Sequence, residues 1–152
     1  MRHGVRESCI FCAIAAGEAP AEVLYEDGET MAFLDIHPTA SGHTLVIPRQ
    51  HFRNLFDLPP EAGAAVMRTA IRVAQALRAA LRPDGMNLIQ ASERAGFQSV
   101  FHFHVHLVPR WFGDGILPPW RPRAVDRQAL QEVGMRVREV LAAAGKTEVS
   151  KT

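Results

Sequence analysis

No apolar run in the 152 residues approaches the roughly 18 that a membrane span needs. No apolar stretch of the signal-peptide kind follows the first residues, Met1 to Ser8, which points to a cytoplasmic protein. Net charge is nearly absent, at +1, so no overall field argues for a nucleic acid or a membrane surface as partner. Internal repeats are missing, and nothing in the chain marks a second domain. With 47% hydrophobic and 22% charged residues the composition is that of an ordinary soluble domain. The expectation is one domain over residues 1–152, its core between about 9 and 145 and residues 146–152 a frayed tail. Cysteine is scarce. Cys9 and Cys12 are the only two, spaced Cys-x-x-Cys. That pair reads as a redox dithiol, as half of a zinc site or as two small buried residues. A thioredoxin-like motif normally follows a strand, and no strand precedes Cys9.

Histidine, by contrast, is concentrated. His102, His104 and His106 stand at every second position of Gln98-Ser-Val-Phe-His-Phe-His-Val-His-Leu-Val-Pro-Arg-Trp111. Phe101, Phe103, Val105 and Leu107 alternate with them, so the stretch reads as a strand with three imidazoles on one face. Packing explains one such histidine but poorly explains three, because each ring needs a hydrogen-bond partner. A single metal ion held by all three rings fits badly: at about 3.3 Å per residue the outer Cα atoms lie roughly 13 Å apart. A row of imidazoles along an anionic substrate, one of them nucleophilic, fits better, and a phosphate suits it best.

The remaining elements follow from periodicity and punctuation. Ile10 to Ile14 forms a short helical turn ending near Gly17. Glu22 to Asp27 and Met31 to Asp35 form a hairpin across Asp27-Gly28. His37 to Gly42 is a loop, and His43 to Pro48 is a strand apolar on both faces, hence central. Pro59-Pro60-Glu61 opens a long helix with Val66, Ala70, Val73, Ala74, Leu77 and Leu81 inward and Arg68, Arg72, Gln75 and Arg78 outward. Pro83-Asp-Gly85 stops it, Met86 to Ala91 is a strand, and Ser92 to Gly96 is a loop. Residues 109–123 are irregular. Asp126 caps a last helix with Leu130, Val133, Val137, Val140, Leu141 and Ala144 on one stripe and Gly145 beyond its end. Strands and helices without regular βαβ units indicate an α+β fold.

The segment Gln98-Ser-Val-Phe-His-Phe-His-Val-His-Leu-Val-Pro109 resembles the signature of the histidine-triad (HIT) family of nucleotide hydrolases and transferases. Cys9-Ile-Phe-Cys-Ala-Ile14, Val23-Leu-Tyr-Glu-Asp27, Ala32-Phe-Leu-Asp-Ile36 and Ser41-Gly-His-Thr-Leu-Val-Ile-Pro48 followed by His51 extend the resemblance. The first three resemble its branch of nucleoside phosphoramidate and dinucleoside polyphosphate hydrolases, and the last resembles the strand that carries the family's fourth active-site histidine. The resemblance implies a sheet of about five antiparallel strands, one long helix and a homodimer.

It also implies roles. His104 attacks the α-phosphorus of a nucleotide and forms a covalent nucleotidyl-histidine that water then hydrolyses. His106 and His43 bind the phosphate oxygens. Ser99 and Gln98 hydrogen-bond near the phosphate and leaving group, and Gln90 is the nearest match to a further amide. Asp35 accepts the ribose hydroxyls, and Ile10, Phe11, Ile14, Phe33 and Ile36 wall the base. Trp120 reaches the partner's site. Cys9, Cys12, His51 and His102 bind a structural zinc, and no catalytic cofactor is required. The loop departs from the family at Phe97, an aromatic where members more often run Ala-Gly-Gln. Intact His43, His102, His104 and His106 favour an enzyme over a catalytically weak nucleotide-binding or scaffold protein.

Overall fold

A computed structural model describes residues 8–117 and 121–149. Trp120, expected to reach a partner, lies outside the described residues. The chain divides into two compact units at Ile116 and Leu117. The first is built on an antiparallel sheet of β1 (Val23–Glu26), β2 (Thr30–Leu34), β3 (Thr44–Pro48), β4 (Gly85–Gln90) and β5 (Val105–Arg110), in the order β1-β2-β3-β5-β4. Its helices are α1 (Ile10–Ala15) and α2 (Pro60–Leu81). The expected α+β architecture is therefore present, with β3 at the centre and all five of its residues buried.

The alternation of the strands sorts side chains onto two faces. Ala32, Val46, Phe103, Val105 and Leu107 meet Val66, Ala70, Val73 and Leu77 of α2. Met31, Phe33, Leu45 and Ile47 point the other way and meet Phe11, Ile14 and Ala15 of α1. Val46 in the layer against α2 is fully buried, and burying such a side chain contributes about 1.5–3 kcal/mol. The exposed Arg68–Glu29 ion pair at 3.5 Å is worth about 0–1 kcal/mol. The apolar stripe of α2 therefore holds it on the sheet. One polar pair lies inside that layer, the buried Thr30 and Thr69 hydroxyls, 2.6 Å apart.

The turn between β1 and β2 is organised by Asp27, whose Oδ1 accepts from the backbone N–H groups of Glu29 and Thr30. Helix α2 opens with Pro60 at its first position and ends at Arg82 in the left-handed region (φ 52°), just before Pro83.

The histidine stretch corrects one expectation. It is a strand only from Val105; residues 98–104 are irregular. The last β3–β5 pair is Val46 with Val105. Two residues further along β3 stands Pro48, which has no N–H to give. Its carbonyl is already taken by the His102 ring at 2.8 Å. Pairing stops there, although the inward–outward alternation continues back to His102.

The second unit contains α3 (Arg127–Val149), which Asp126 caps through its Oδ1 to the N–H of Ala129 at 2.9 Å. Its apolar stripe is exposed at Leu130, Val133, Val137, Val140 and Leu141. Gly145 lies inside this helix rather than beyond it. A lone glycine costs a helix only about 1 kcal/mol, and no proline follows within the helix to end it.

Gly42 joins the loop of residues 37–42 to β3 at φ +81°. A Cβ there would overlap Leu81 Cδ1 and crowd Pro109 Cγ at 3.3 Å. Gly42→Ala should therefore cost about 1–3 kcal/mol, from the left-handed backbone and the displaced leucine together. Urea unfolding measures it, and an unchanged midpoint would contradict this account.

Candidate active site and metal centre

Two clusters of nitrogen, oxygen and sulfur atoms lie along the face of the sheet that carries α1. Each is set by backbone carbonyls acting on imidazoles. The His102 ring is fully buried and its Nε2 lies 2.8 Å from Pro48 O. A carbonyl only accepts, so Nε2 carries the proton and Nδ1 keeps its lone pair. That Nδ1 stands 3.5 Å from both Cys9 Sγ and Cys12 Sγ. His51 Nδ1 is 3.3 Å from Cys12 Sγ. The four ligand atoms lie within 4.8 Å of one another.

The spacing has a chemical meaning. A tetrahedral zinc with bonds of about 2.3 Å to sulfur and 2.0–2.1 Å to nitrogen holds sulfur and nitrogen about 3.5 Å apart. The donors thus sit where one ion would hold them, and His102 has the outer hydrogen bond that such a ligand usually makes. Cys9 also starts α1: its Sγ accepts from the N–H of Cys12 at 3.4 Å. Burial pushes the His102 imidazole down to about 4, which keeps its lone pair available near neutral pH.

His104 repeats the device in mirror image. Its Nδ1 lies 2.7 Å from His102 O, so Nδ1 carries the proton and Nε2 holds the lone pair. The ring is 4% exposed, with the edge of Phe11 against it at 5.1 Å between centroids and His106 on another side at 4.9 Å. Beyond it His43 Nε2 and His106 Nδ1 are 2.9 Å apart, and Asp35 Oδ2 is 3.6 Å from His43 Nε2. Burial lowers His43 and His104 below the usual imidazole range and His106 to about 4. Asp35 opposes the shift in all three, but burial is the larger effect, so the row is neutral at pH 7.

The structure thus joins Asp35, His43, His104 and His106, and separately Cys9, Cys12, His51 and His102. Phe11 and Phe33 are buried edge to face, while Ile10 and Ile36 are 51% and 82% exposed. Ser99 is exposed on the loop before the triad.

Two expected site residues sit otherwise. Gln98 is buried and its amide is spent on the loop: Nε2 donates to Arg53 O and Val100 O, and Oε1 accepts from Glu93 N and Asn54 Nδ2. It braces the chain and does not face the imidazoles. Gln90 likewise turns its amide to Ala91 O and the Ser92 hydroxyl. Phe97, at φ +67° and 88% exposed, is thrown out of the loop into solvent.

Sequence reasoning missed the partners of Gln98. Asn54, 1% exposed, bridges Glu93 and Gln98 through its Nδ2. Arg53 grips Glu93 with two hydrogen bonds of 2.7 and 2.9 Å and stacks on Phe101 at 4.3 Å. Glu93 adopts φ 64°, a conformation costly outside glycine, and these bonds hold it there. In the sequence these residues carry only the cues of a polar loop.

A family model described as the HIT domain matches residues 16–113. The chain belongs to the HIT family. The HIT relatives it resembles include adenosine 5'-monophosphoramidase of Saccharomyces cerevisiae, 36% identical over 89% of this chain and 82% of that protein. Among solved structures, a HIT family protein from Bacillus anthracis superposes with a TM-score of 0.83 at 34% identity, covering 89% of this chain and 98% of that one. A zinc-bound histidine triad family protein from Mycobacterium smegmatis superposes at 0.70 with 42% identity, covering 93% and 99%. At least one HIT relative is thus a hydrolase of a nucleotide derivative, and the Cys/His cluster of this chain could hold a metal. No described helix is long and apolar enough to cross a membrane.

The loop network carries its own test. Hydrogen bonds from Arg53 and then Asn54 hold the Glu93 carboxyl at about 2, below its ordinary 4.5. A depressed carboxylate contributes stability above its unfolded value, and that contribution is lost as pH falls through the folded one. Glu93→Gln should therefore flatten the fall in stability between pH 4.5 and 2. Acid titration of urea midpoints reads this, and parallel curves for the two proteins would refute it.

Proposed function

We infer that this protein is a nucleotide hydrolase or transferase acting at the α-phosphate of a nucleoside phosphoramidate or dinucleoside polyphosphate. The observation that carries the reading is the His104 imidazole. Its proton is held on Nδ1 by His102 O, and its Nε2 lone pair lies in a row of neutral imidazoles. In the first step that lone pair forms a bond to the α-phosphorus. The bond from phosphorus to the amine or phosphate oxygen breaks, and the leaving group takes the electron pair and a proton from solvent or the site. In the second step water attacks the same phosphorus. The His104–phosphorus bond breaks, and nucleoside monophosphate leaves.

His43 and His106 act on the anionic oxygens, where fixed donors in a buried site stabilise charge most. Asp35 takes the ribose hydroxyls. One of its oxygens already accepts the His37 N–H at 2.8 Å, so Oδ2 is the one left for substrate. Phe11 and the exposed Ile10 and Ile36 give the base an apolar wall, and Ser99 supplies a hydroxyl beside the leaving group. The similarity to a monophosphoramidase supports this choice of bond.

Cys9, Cys12, His51 and His102 hold a structural zinc in this reading. Zinc there would supply cross-linking of the N-terminal segment to the triad, and no chemistry at phosphorus. The sulfur–nitrogen spacings and the zinc-bound relative support it.

Two outcomes are expected. His104→Asn should lower turnover by about a thousandfold or more while nucleotide still binds, because the covalent route is gone and the pocket remains. Rapid quench and mass spectrometry should find the nucleotidyl adduct on His104 of the unmutated protein; an adduct elsewhere defeats the assignment. Protein purified without added metal should carry near-stoichiometric zinc by elemental analysis, and Cys9→Ser or Cys12→Ser should lose both the zinc and part of the stability. Metal-free protein of undiminished stability would reject the site.

A further inference from the structure

One backbone group faces the phosphate-binding imidazoles from the loop of residues 37–42. The N–H of Thr39 donates to His43 Nδ1 at 3.0 Å. His43 is 5% exposed, and its opposite nitrogen, Nε2, lies 2.9 Å from His106 Nδ1. A neutral imidazole carries one N–H, so the bond between the two rings could run in either direction. In one, His43 Nε2–H donates to His106 Nδ1, and the proton of His106 is on Nε2. In the other, His106 Nδ1–H donates to His43 Nε2, and the proton of His43 moves to Nδ1. There it would confront the Thr39 N–H, donor against donor.

We propose that the Thr39 N–H is a positioning group that sets the tautomer of His43 and, through it, makes His106 present Nε2–H to the substrate. The Asp35 carboxylate, 3.6 Å from His43 Nε2, favours a proton on the same nitrogen. The loop is tied down so that the amide keeps its aim. Asp35 Oδ1 accepts from His37 N, and His43 N donates to Ala40 O. Without this constraint His106 could turn a lone pair toward anionic oxygens and repel them. The Thr39 side chain is exposed. Only its N–H enters, so any residue except proline serves at this place.

The proposal rests on the phosphate-facing roles given above to His43 and His106, but its primary test needs no substrate. Long-range proton–nitrogen correlation on protein labelled with ¹⁵N-histidine distinguishes a protonated ring nitrogen from a bare one. At neutral pH both His43 and His106 should show bare Nδ1 and protonated Nε2, in the wild type and in Thr39→Ala. Thr39→Pro, or replacement of Thr39 by its α-hydroxy acid if the proline variant does not fold, removes the N–H. Either should give mixed ring patterns for the pair and a fall in turnover of about tenfold to a hundredfold, toward the loss of one oxyanion donor. A wild-type His106 protonated on Nδ1 would overturn the proposal. So would an unchanged ring pattern once the N–H is gone, or a changed pattern with turnover intact. Full turnover in His104→Asn would instead defeat the proposed chemistry and leave the ring patterns as they are.

Discussion

The hydrogen bond from the His102 ring to the carbonyl of Pro48 is the contact on which the two clusters depend. It occupies the last acceptor of the central strand, and so it ends the ladder between β3 and β5 at Val105. It holds the proton of His102 on Nε2, which turns the Nδ1 lone pair toward the two cysteines. Because the ladder has ended, the carbonyl of His102 is available to a side chain, and His104 Nδ1 takes it at 2.7 Å. One residue thus faces the sulfur cluster with its ring and fixes the neighbouring imidazole with its backbone.

Burial makes these arrangements consequential. An imidazole in water exchanges its proton freely, and either nitrogen can face a ligand. The rings here are largely out of water and lie below the usual imidazole range, so each carries a single proton at neutral pH. Its position is then decided by whichever fixed group stands beside it. In a low-dielectric site such a preset donor or lone pair needs no reorganisation when charge develops.

The loop before the triad supplies rigidity of another kind. Arg53, Asn54, Glu93 and Gln98 form a closed set of hydrogen bonds in which no described buried side-chain nitrogen or oxygen lacks a partner. A satisfied network of this sort holds a backbone in a conformation it would otherwise leave, here Glu93 at φ 64°. The strain sits nine residues before His102, where the chain must turn from β4 into the histidines.

Much of this was decided by the sequence alone. Periodicity, two in a strand and about 3.6 in a helix, depends on each residue and its near neighbours, so the strands β2 and β3, the inward set of α2 apart from the exposed Leu81, and the one-sided row of His102, His104 and His106 were legible. So were the capping Asp126 and the Cys-x-x-Cys pair. What depends on the meeting of distant segments was not. Gln98 has a side chain suited to a phosphate, but Arg53 and Asn54 arrive from 45 and 44 positions away and consume its amide. The histidine stretch by itself predicts too long a strand, because nothing in its own residues shows that its partner ends in a proline whose carbonyl is taken. Which nitrogen each imidazole presents is set by backbone groups of Pro48, His102 and Thr39, and backbone groups are the same in every sequence. Residue types and their spacing determined which chemistry this protein can hold, and only the tertiary structure, by placing carbonyls and amides against rings, decided where each proton sits.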